Sequence, residues 1–302
     1  MLSEPLAVTP GVPLNRVARV ERFARITWRT IASRASPLRA KLQPRRLHAY
    51  CVSAPRSGTH SIAGLFSTSF RAAHEPDTDL LYDAIRSHTA GTLDTAALRR
   101  WLEWRDRALW LEMEAHNRLG HVAGLLAETF LQSRFVLVVR DCYSWLESYL
   151  SLQLASRAAG ESRRAREVRD WQFGVGRFTH GPGERVLADL GLHTLDGYLS
   201  FWAESNRRVI EAVPAERLLS LRLDRLDQAY GDVARFLGVP AETLDRSRGH
   251  LDHRSAKSGL IFGLDREYLE ERVERHCRPI MRRFFPEIAH LDDAVGAPQA
   301  TS

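Results

Sequence analysis

Small, hydroxyl-bearing and basic residues follow a short apolar run near residue 50. The run Ala49-Tyr50-Cys51-Val52 leads into a polar loop, and a helix-like pattern begins directly after it. A loop between a strand and a helix points backbone N–H groups and the positive end of the helix dipole at an anion. Gly58 allows the backbone to approach a ligand closely, and Arg56 can bind two oxygens at once. We therefore expect an anion-binding loop made of Arg56, Ser57, Gly58, Thr59, His60 and Ser61. The alternative is a tight turn that binds no ligand.

A second arginine stands at the end of the clearest strand in the sequence. Residues 135–139 form a continuous apolar run, which is typical of a strand in the middle of a parallel sheet. Arg140 follows this run, and Ser148 comes eight residues later on a helix-like segment. The guanidinium, the helix start and the hydroxyl can together bind a second anionic group. The alternative is an ion pair between Arg140 and Asp141 at a helix cap.

Taken together, the two motifs resemble those of the sulfotransferases that use 3′-phosphoadenosine 5′-phosphosulfate (PAPS). The loop at 55–59 is similar to the family's 5′-phosphosulfate loop, which has a Pro-Lys/Arg-Ser/Thr-Gly-Thr core. Arg140 and Ser148 are similar to the family's 3′-phosphate site, although Cys142 replaces a usual Pro. The resemblance covers about residues 47–285 and implies PAPS as the donor. It also implies that a C-terminal basic loop binds the nucleotide, here through Arg254 and Lys257.

The resemblance implies in-line transfer of a sulfuryl group to an acceptor, which we expect to be a hydroxyl on a small molecule, glycan or lipid. Arg56 would neutralise charge on the leaving phosphate, and a general base would take the acceptor's proton. Glu75 is the first candidate base, because some branches of the family place a Glu after the second strand. His116 is the second, because other branches place a His after the third strand. His74 and His60 remain open.

Two other functions are compatible with these residues. A P-loop-type kinase would carry the pattern GxxxxGK[ST], whose Lys and following hydroxyl bind phosphate and Mg²⁺. This chain has neither the first Gly nor the Lys of that pattern, and we expect no metal. A non-catalytic nucleotide-binding protein would bind PAPS and show no turnover with any acceptor.

Alternating strand and helix patterns position all of these residues. Strands are predicted at about 47–53, 70–74, 110–114, 135–139 and 218–221, with helical patterns between them. This alternation predicts right-handed crossovers and a three-layer αβα fold with a central parallel sheet, and the resemblance implies that this fold is P-loop-like. The carboxyl ends of such strands meet at one edge, where ligands bind. Residues 156–185 show no sustained period, so we expect an irregular lid or substrate loop there.

The composition indicates a globular protein with a basic surface. The 302-residue chain is 44% hydrophobic and has no apolar run near the roughly 20 residues that span a bilayer. Three cysteines make no disulfide framework, and the first residues lack a secretory signal pattern, so we expect a cytoplasmic protein. The net charge of +6 suits an anionic ligand. We expect no nucleic-acid partner, because no recognition motif is present.

These patterns predict a division of the chain into three segments. Residues 1–46 are a basic extension with an amphipathic helix at about 14–35, residues 47–290 are the catalytic domain, and 291–302 are a disordered tail. A basic amphipathic helix can lie on an anionic membrane. The helix at 14–35 is therefore predicted either to contact a membrane peripherally or to pack on its own domain.

Overall fold

The computed structural model of the protein describes residues 43–249 and 257–295. The chain forms two compact units. One comprises Met1–Pro44 and Asp79–Trp110, and the other comprises Arg45–Thr78 and Leu111–Ser302. The amphipathic helix predicted at 14–35 and the predicted ligand Arg254 lie outside the described residues.

The strands and α-helices alternate along the chain. The strands are β1 (Ala49–Cys51), β2 (Ala72–His74), β3 (Met113–Ala115), β4 (Arg134–Val139) and β5 (Leu218–Arg222). The α-helices are α1 (Thr59–Phe66), α2 (Thr78–Thr89), α3 (Thr95–Leu109), α4 (Ala123–Thr129), α5 (Cys142–Ala158), α6 (Arg163–Phe173), α7 (Arg185–Asp189), α8 (Leu195–Ala212), α9 (Tyr230–Leu237), α10 (Arg246–Gly249), α11 (Arg266–His276), α12 (Arg278–Phe284) and α13 (Leu291–Ala294).

One sheet of five parallel strands organises the larger unit. Its strand order is β2-β3-β1-β4-β5, so the strand that precedes the anion-binding loop is central. Cys51 pairs with Ala115 on one side and Val136 on the other, and Val139 pairs with Arg222. All carboxyl ends therefore meet at one edge, as a parallel sheet requires. The predicted α/β fold with a central parallel sheet is confirmed.

Both faces of this sheet are buried. On one face, Cys51 and Val138 pack in a cluster with residues of α1 and α9 such as Leu65 and Val233. Side chains alternate along a strand, so Tyr50 and Leu137 point to the opposite face, where they are also buried. Burial on both faces explains the continuous apolar run in β4. The larger unit thus has the three-layer αβα architecture that the sequence predicts.

The smaller unit carries α2 and α3. Asp94 caps α3, because its carboxylate accepts the amide of Ala97 at 2.7 Å. Trp110, just after α3, donates its indole N–H to the carbonyl of Gln43 at 3.0 Å. A helical sequence pattern at about 92–107 predicts α3, whereas α2 is not predicted; the buried face of α2 includes Tyr82 and Ile85.

Two sequence predictions about irregular segments are wrong. Residues 156–185 contain α6, which begins after a Ser162 cap and ends at Gly174, a residue with φ of 64°. The tail predicted from residue 291 instead begins with α13, and Leu291 and Val295 are buried. None of the described helices is both long enough and apolar enough to cross a membrane.

Candidate functional site

The loop between β1 and α1 has a conformation that requires glycine. Gly58 has φ of 89°, and a Cβ built on it would lie 2.7 Å from Cδ1 of Leu223. Arg56 also has a positive φ, 63°, which is uncommon for a residue with a side chain. The amide of Ser57 donates to the carbonyl of Ala54 at 3.3 Å and closes the turn. The backbone thus reverses tightly and enters α1 at the carboxyl edge of the sheet.

Hydrogen-bond donors collect at this turn. The side chain of Ser57 is fully buried, and its Oγ has no hydrogen-bond partner among the described residues. The first amides of α1 also have no acceptor within the helix, since an α-helix leaves its first N–H groups unsatisfied. A buried hydroxyl without a partner costs about 1–3 kcal/mol. An anion with several oxygens would satisfy both kinds of donor.

The two motifs predicted from the sequence meet through their arginines. Arg56 donates from Nε to Oγ of Ser148 at 3.0 Å. Arg140 donates from Nη1 to the carbonyl of Arg56 at 3.4 Å and from Nε to Oγ of Ser144 at 3.0 Å. The two motifs therefore adjoin each other, and Ser144 contacts them although sequence analysis did not select it.

Two buried tryptophans fix the backbone that carries these arginines. Trp145 on α5 donates its indole N–H to the carbonyl of Pro55 at 2.8 Å. Trp202 on α8 donates in the same way to the carbonyl of Arg140 at 3.0 Å. Because both rings are fully buried, the loop and the end of β4 are held by packed helices.

The arginines line a cavity of about 820 Å³ at the carboxyl edge of the sheet. Seven predicted site residues line it: Arg56, Gly58, Thr59, His60, Ser61, Glu75 and Arg140. Three other predicted residues do not line the cavity: Ser57 is buried at the turn, Ser148 is half-buried and accepts from Arg56, and Lys257 is exposed. The further lining residues are Pro55, His74, Asn117, Asp141, Ser144, Leu152, Leu223, Asp224, Leu226, Asp227, Gly249, Phe285 and Ala294.

Glu75 is held in this cavity by its backbone and its side chain. It follows β2 with a φ of 49°, and its amide donates to the carbonyl of Ala115 at 2.9 Å. Asn117 donates its side-chain amide to Oε1 of Glu75. Burial raises the pKa of Glu75 above its ordinary value, while Arg118 and Asn117 act in the opposite direction. The result is an oriented carboxylate that is more basic than a glutamate in water.

Two histidines lie beside this carboxylate. Nε2 of His74 is 3.0 Å from Oγ1 of Thr59 and 3.8 Å from Oε1 of Glu75. The ring centroids of His74 and His60 are 4.8 Å apart. Burial, together with repulsion from His60, lowers the pKa of His74 to about 4. His74 is therefore neutral near pH 7, where it can hydrogen-bond to Thr59.

His116 lies behind the cavity wall. Its side chain is fully buried, and Nδ1 accepts the amide of Arg118 at 3.2 Å. Its own amide donates to the carbonyl of Cys51 at 2.9 Å. His116 thus caps the 3₁₀ turn Asn117–Val122 and places Asn117 beside Glu75. Of the two first candidate bases, the structure brings only Glu75 to the cavity.

Comparison with known proteins assigns the family. The sulfotransferase domain matches residues 50–245, more than half of the chain, and the matched region contains both arginine motifs. The chain belongs to the sulfotransferase domain family. No curated protein matches this sulfotransferase in sequence.

Two solved structures are similar to this sulfotransferase at low identity. A sulfotransferase from Alicyclobacillus acidocaldarius is 15% identical, with a TM-score of 0.42, and the match covers 78% of this chain and 96% of that one. The sulfotransferase domain from the curacin biosynthetic pathway is also 15% identical, with a TM-score of 0.33 and coverage of 76% and 91%. The family assignment depends on the domain match alone.

The sulfotransferase has a second cavity, of about 780 Å³, in the segment predicted to be a lid or substrate loop. Asp170 accepts from Nε2 of His193 at 3.0 Å, and burial lowers the pKa of His193 despite that contact. Arg157 donates to the carbonyls of Leu190, at 2.8 Å, and Gly191. Polar groups of this cavity therefore bond to one another.

Sequence reasoning missed the part of the first cavity that lies beyond β5. Leu223, Asp224 and Asp227 come from the turn after β5, and Phe285 comes from the end of α12. The segment 221–226 resembles the family's strand with a following acidic residue, which concerns the fold more than the chemistry, and nothing in its composition distinguishes it from an ordinary strand end. Phe285 is 63 residues after Arg222 but packs under its guanidinium, 4.5 Å from the ring centroid. Only the folded chain brings these residues together.

Proposed function

We propose that this sulfotransferase uses PAPS as the donor and transfers the sulfuryl group to an acceptor hydroxyl. The observation that carries the proposal is that Arg56 and Arg140, from motifs far apart in the sequence, line one cavity and contact each other. PAPS has anionic groups at its 5′ and 3′ ends. Two cationic groups at one sheet edge suit a ligand with two anionic groups better than they suit a single phosphate.

The residues present fit this donor. The unsatisfied Ser57 hydroxyl and the first amides of α1 suit the 5′-phosphosulfate, and Gly58 leaves room for it. Arg140 and Ser148 would hold the 3′-phosphate, with Ser144 beside them. When bound, the donor supplies a sulfuryl group that is attached to a phosphate leaving group.

Arg56 and the loop amides would stabilise negative charge as it develops on the leaving phosphate. Arg56 already lies at the loop, where Ser148 holds its Nε. Pre-oriented donors of this kind do not have to reorganise during the reaction, and removal of one typically costs roughly 10²–10³ in rate.

Glu75 would act as the general base and take the proton of the acceptor hydroxyl on a carboxylate oxygen. It lines the same cavity as Arg56, and Asn117 orients it. Its raised pKa makes it a stronger base than a glutamate in water. His74, which is neutral at that pH, would support the site by its contact with Thr59.

Calorimetry with 3′-phosphoadenosine 5′-phosphate (PAP) tests the donor assignment. We expect saturable one-to-one binding without added metal, and competition by PAPS. A screen of hydroxyl acceptors with ³⁵S-labelled PAPS should then yield a labelled product. Failure to bind PAP, combined with Mg²⁺-dependent binding of ATP, would contradict the proposal and favour phosphoryl transfer. Binding of PAP without transfer to any acceptor class would favour a non-catalytic role.

A further inference from the structure

A buried glutamate lies next to the predicted 3′-phosphate ligand on α5. Glu147 is 1% exposed, and its Oε1 accepts the amide of Gly259 at 2.8 Å and Oγ of Ser258 at 3.0 Å. Its Oε2 accepts the amide of Ile261 at 3.2 Å. Ser151, one turn along α5, adds a hydroxyl contact to Oε1 at 3.1 Å. One carboxylate thus joins α5 to the backbone of residues 258–261.

This contact is unusual because it is not an ion pair. Among the described residues, the hydrogen bonds of Glu147 come from amides and hydroxyls rather than from an Arg or Lys. A buried carboxylate is costly unless donors replace its water. The side chain therefore depends on the geometry of residues 258–261, and their geometry depends on it.

The contact also connects two groups that can bind phosphate. Ser148 follows Glu147 on α5, and its Oγ accepts from Arg56 at 3.0 Å. Lys257 directly precedes Ser258, so its cationic side chain begins one residue from the contact. Ser258 is held from both sides, since its amide also donates to Oγ of Ser151 at 2.9 Å. The position of Lys257 relative to Ser148 is thus set through Glu147.

We propose that Glu147 is a positioning residue for donor binding. It holds residues 258–261 against α5, so that Lys257 and Ser148 both bind the 3′-phosphate of the nucleotide. Glu147 itself does not contact the ligand. This inference rests on the proposed function, because it needs an anionic nucleotide in the first cavity.

The first test measures the Kd of PAP by calorimetry for Glu147→Gln. The amide NH₂ cannot accept, so at least one contact with residues 258–261 is lost. We expect a rise in Kd of about threefold to tenfold, the size of one ordinary hydrogen bond, because Glu147 acts on the ligand only through residues 258–261. Faster amide hydrogen exchange at Gly259 and Ile261 should accompany it. Faster exchange with an unchanged Kd would overturn the proposal.

The second test is a double-mutant cycle with Lys257→Ala, which separates positioning from general loosening. Alone, Lys257→Ala should raise the Kd of PAP by about twofold to fivefold, since the side chain is exposed. Added to Glu147→Gln, it should have almost no further effect, because its ammonium is already misplaced. Full additivity of the two changes would overturn the proposal. Should Glu147→Gln not fold, Ser258→Ala replaces it in the same cycle, with the same expected non-additivity.

Glu184 offers a matched control. It is also fully buried and also accepts backbone amides, those of Gly181 at 3.0 Å and of Leu195. Neither glutamate lines the first cavity, but only Glu147 adjoins Ser148, whose Oγ contacts Arg56. Glu184→Gln should lower the melting temperature without changing the Kd of PAP. An equal rise in Kd for both variants would show that Glu147 acts only through stability. Absence of PAP binding to the wild-type protein would instead overturn the proposed function.

Discussion

The two cavities of the larger unit have nearly the same volume, about 820 and 780 Å³, but their polar groups are used differently. In the first, Arg56 and Arg140 donate to hydroxyl and carbonyl oxygens at the sheet edge. In the second, Asp170 and His193 bond to each other. The two arginines thus present donors at the sheet edge, whereas the polar pair of the second cavity is bonded within its own segment.

This difference shows that volume alone does not identify a binding site. The first cavity lies where strand ends, a helix start and the Ser57 hydroxyl all present donors. The second is built by an insert whose cation Arg157 is directed to carbonyls of its own segment. An anionic ligand would gain more from the first cavity, and variants of the two cavities should therefore differ in effect.

The largest effect is expected for Glu75→Gln. The amide keeps the size of the side chain but cannot take a proton, so kcat should fall by roughly 10²–10⁴ with the acceptor found in the labelled screen. Calorimetry should show an almost unchanged Kd for PAP, because Glu75 does not hold the phosphates. Retained turnover would exclude Glu75 as the base and return His116 or His60 to consideration.

The pH profile of the wild-type enzyme sharpens this prediction. The base must be ionised, so kcat/KM should fall as the pH decreases through the raised pKa of Glu75, above the ordinary value of 4.5. His74 titrates lower, near pH 4, and should not produce this limb. The limb should disappear in the residual activity of Glu75→Gln. A limb that persists unchanged would point to another titrating group.

An intermediate effect is expected for Arg140→Ala. Loss of its charge-assisted hydrogen bonds should cost about 1.5–3 kcal/mol, or roughly a 10- to 150-fold rise in the Kd of PAP. The dependence of binding on salt should also weaken, because one cation is removed. Arg217→Ala is a suitable control, since this arginine donates to the carbonyls of Ala127, Phe130 and Leu131 and does not line the first cavity. Equal Kd changes in both variants would show that loss of an arginine acts through stability and not through the first cavity.

The sequence predicts the sheet and its edge well because these depend on local patterns. The apolar run of β4 and the Gly58 turn require a buried parallel strand and a left-handed backbone position, and both are present. The same patterns bring Arg56 and Arg140 to one edge. Helix α6 was missed because its side chains are mostly polar and only a few of them, such as Val168 and Phe173, are buried.

Sequence patterns could not predict the contacts between distant segments. Trp145 and Trp202 each donate one indole hydrogen bond, to the loop and to the end of β4 respectively. No periodicity in the sequence indicates which carbonyl accepts each bond. His116 illustrates the same limit. Its position after β3 resembles that of a catalytic base, but the backbone directs its ring into the core, where it accepts the amide of Arg118.

The smallest effect is expected for Asp170→Asn in the second cavity. The change removes the charge that faces His193 while keeping the size of the side chain. Because neither residue lines the first cavity, the Kd of PAP should change by less than about twofold. A rise comparable to that of Arg140→Ala would show that the two cavities act as one. If PAP affinity is unchanged but the KM of the acceptor rises, the second cavity binds the acceptor. The reason is that only a group bound there depends on the Asp170–His193 pair.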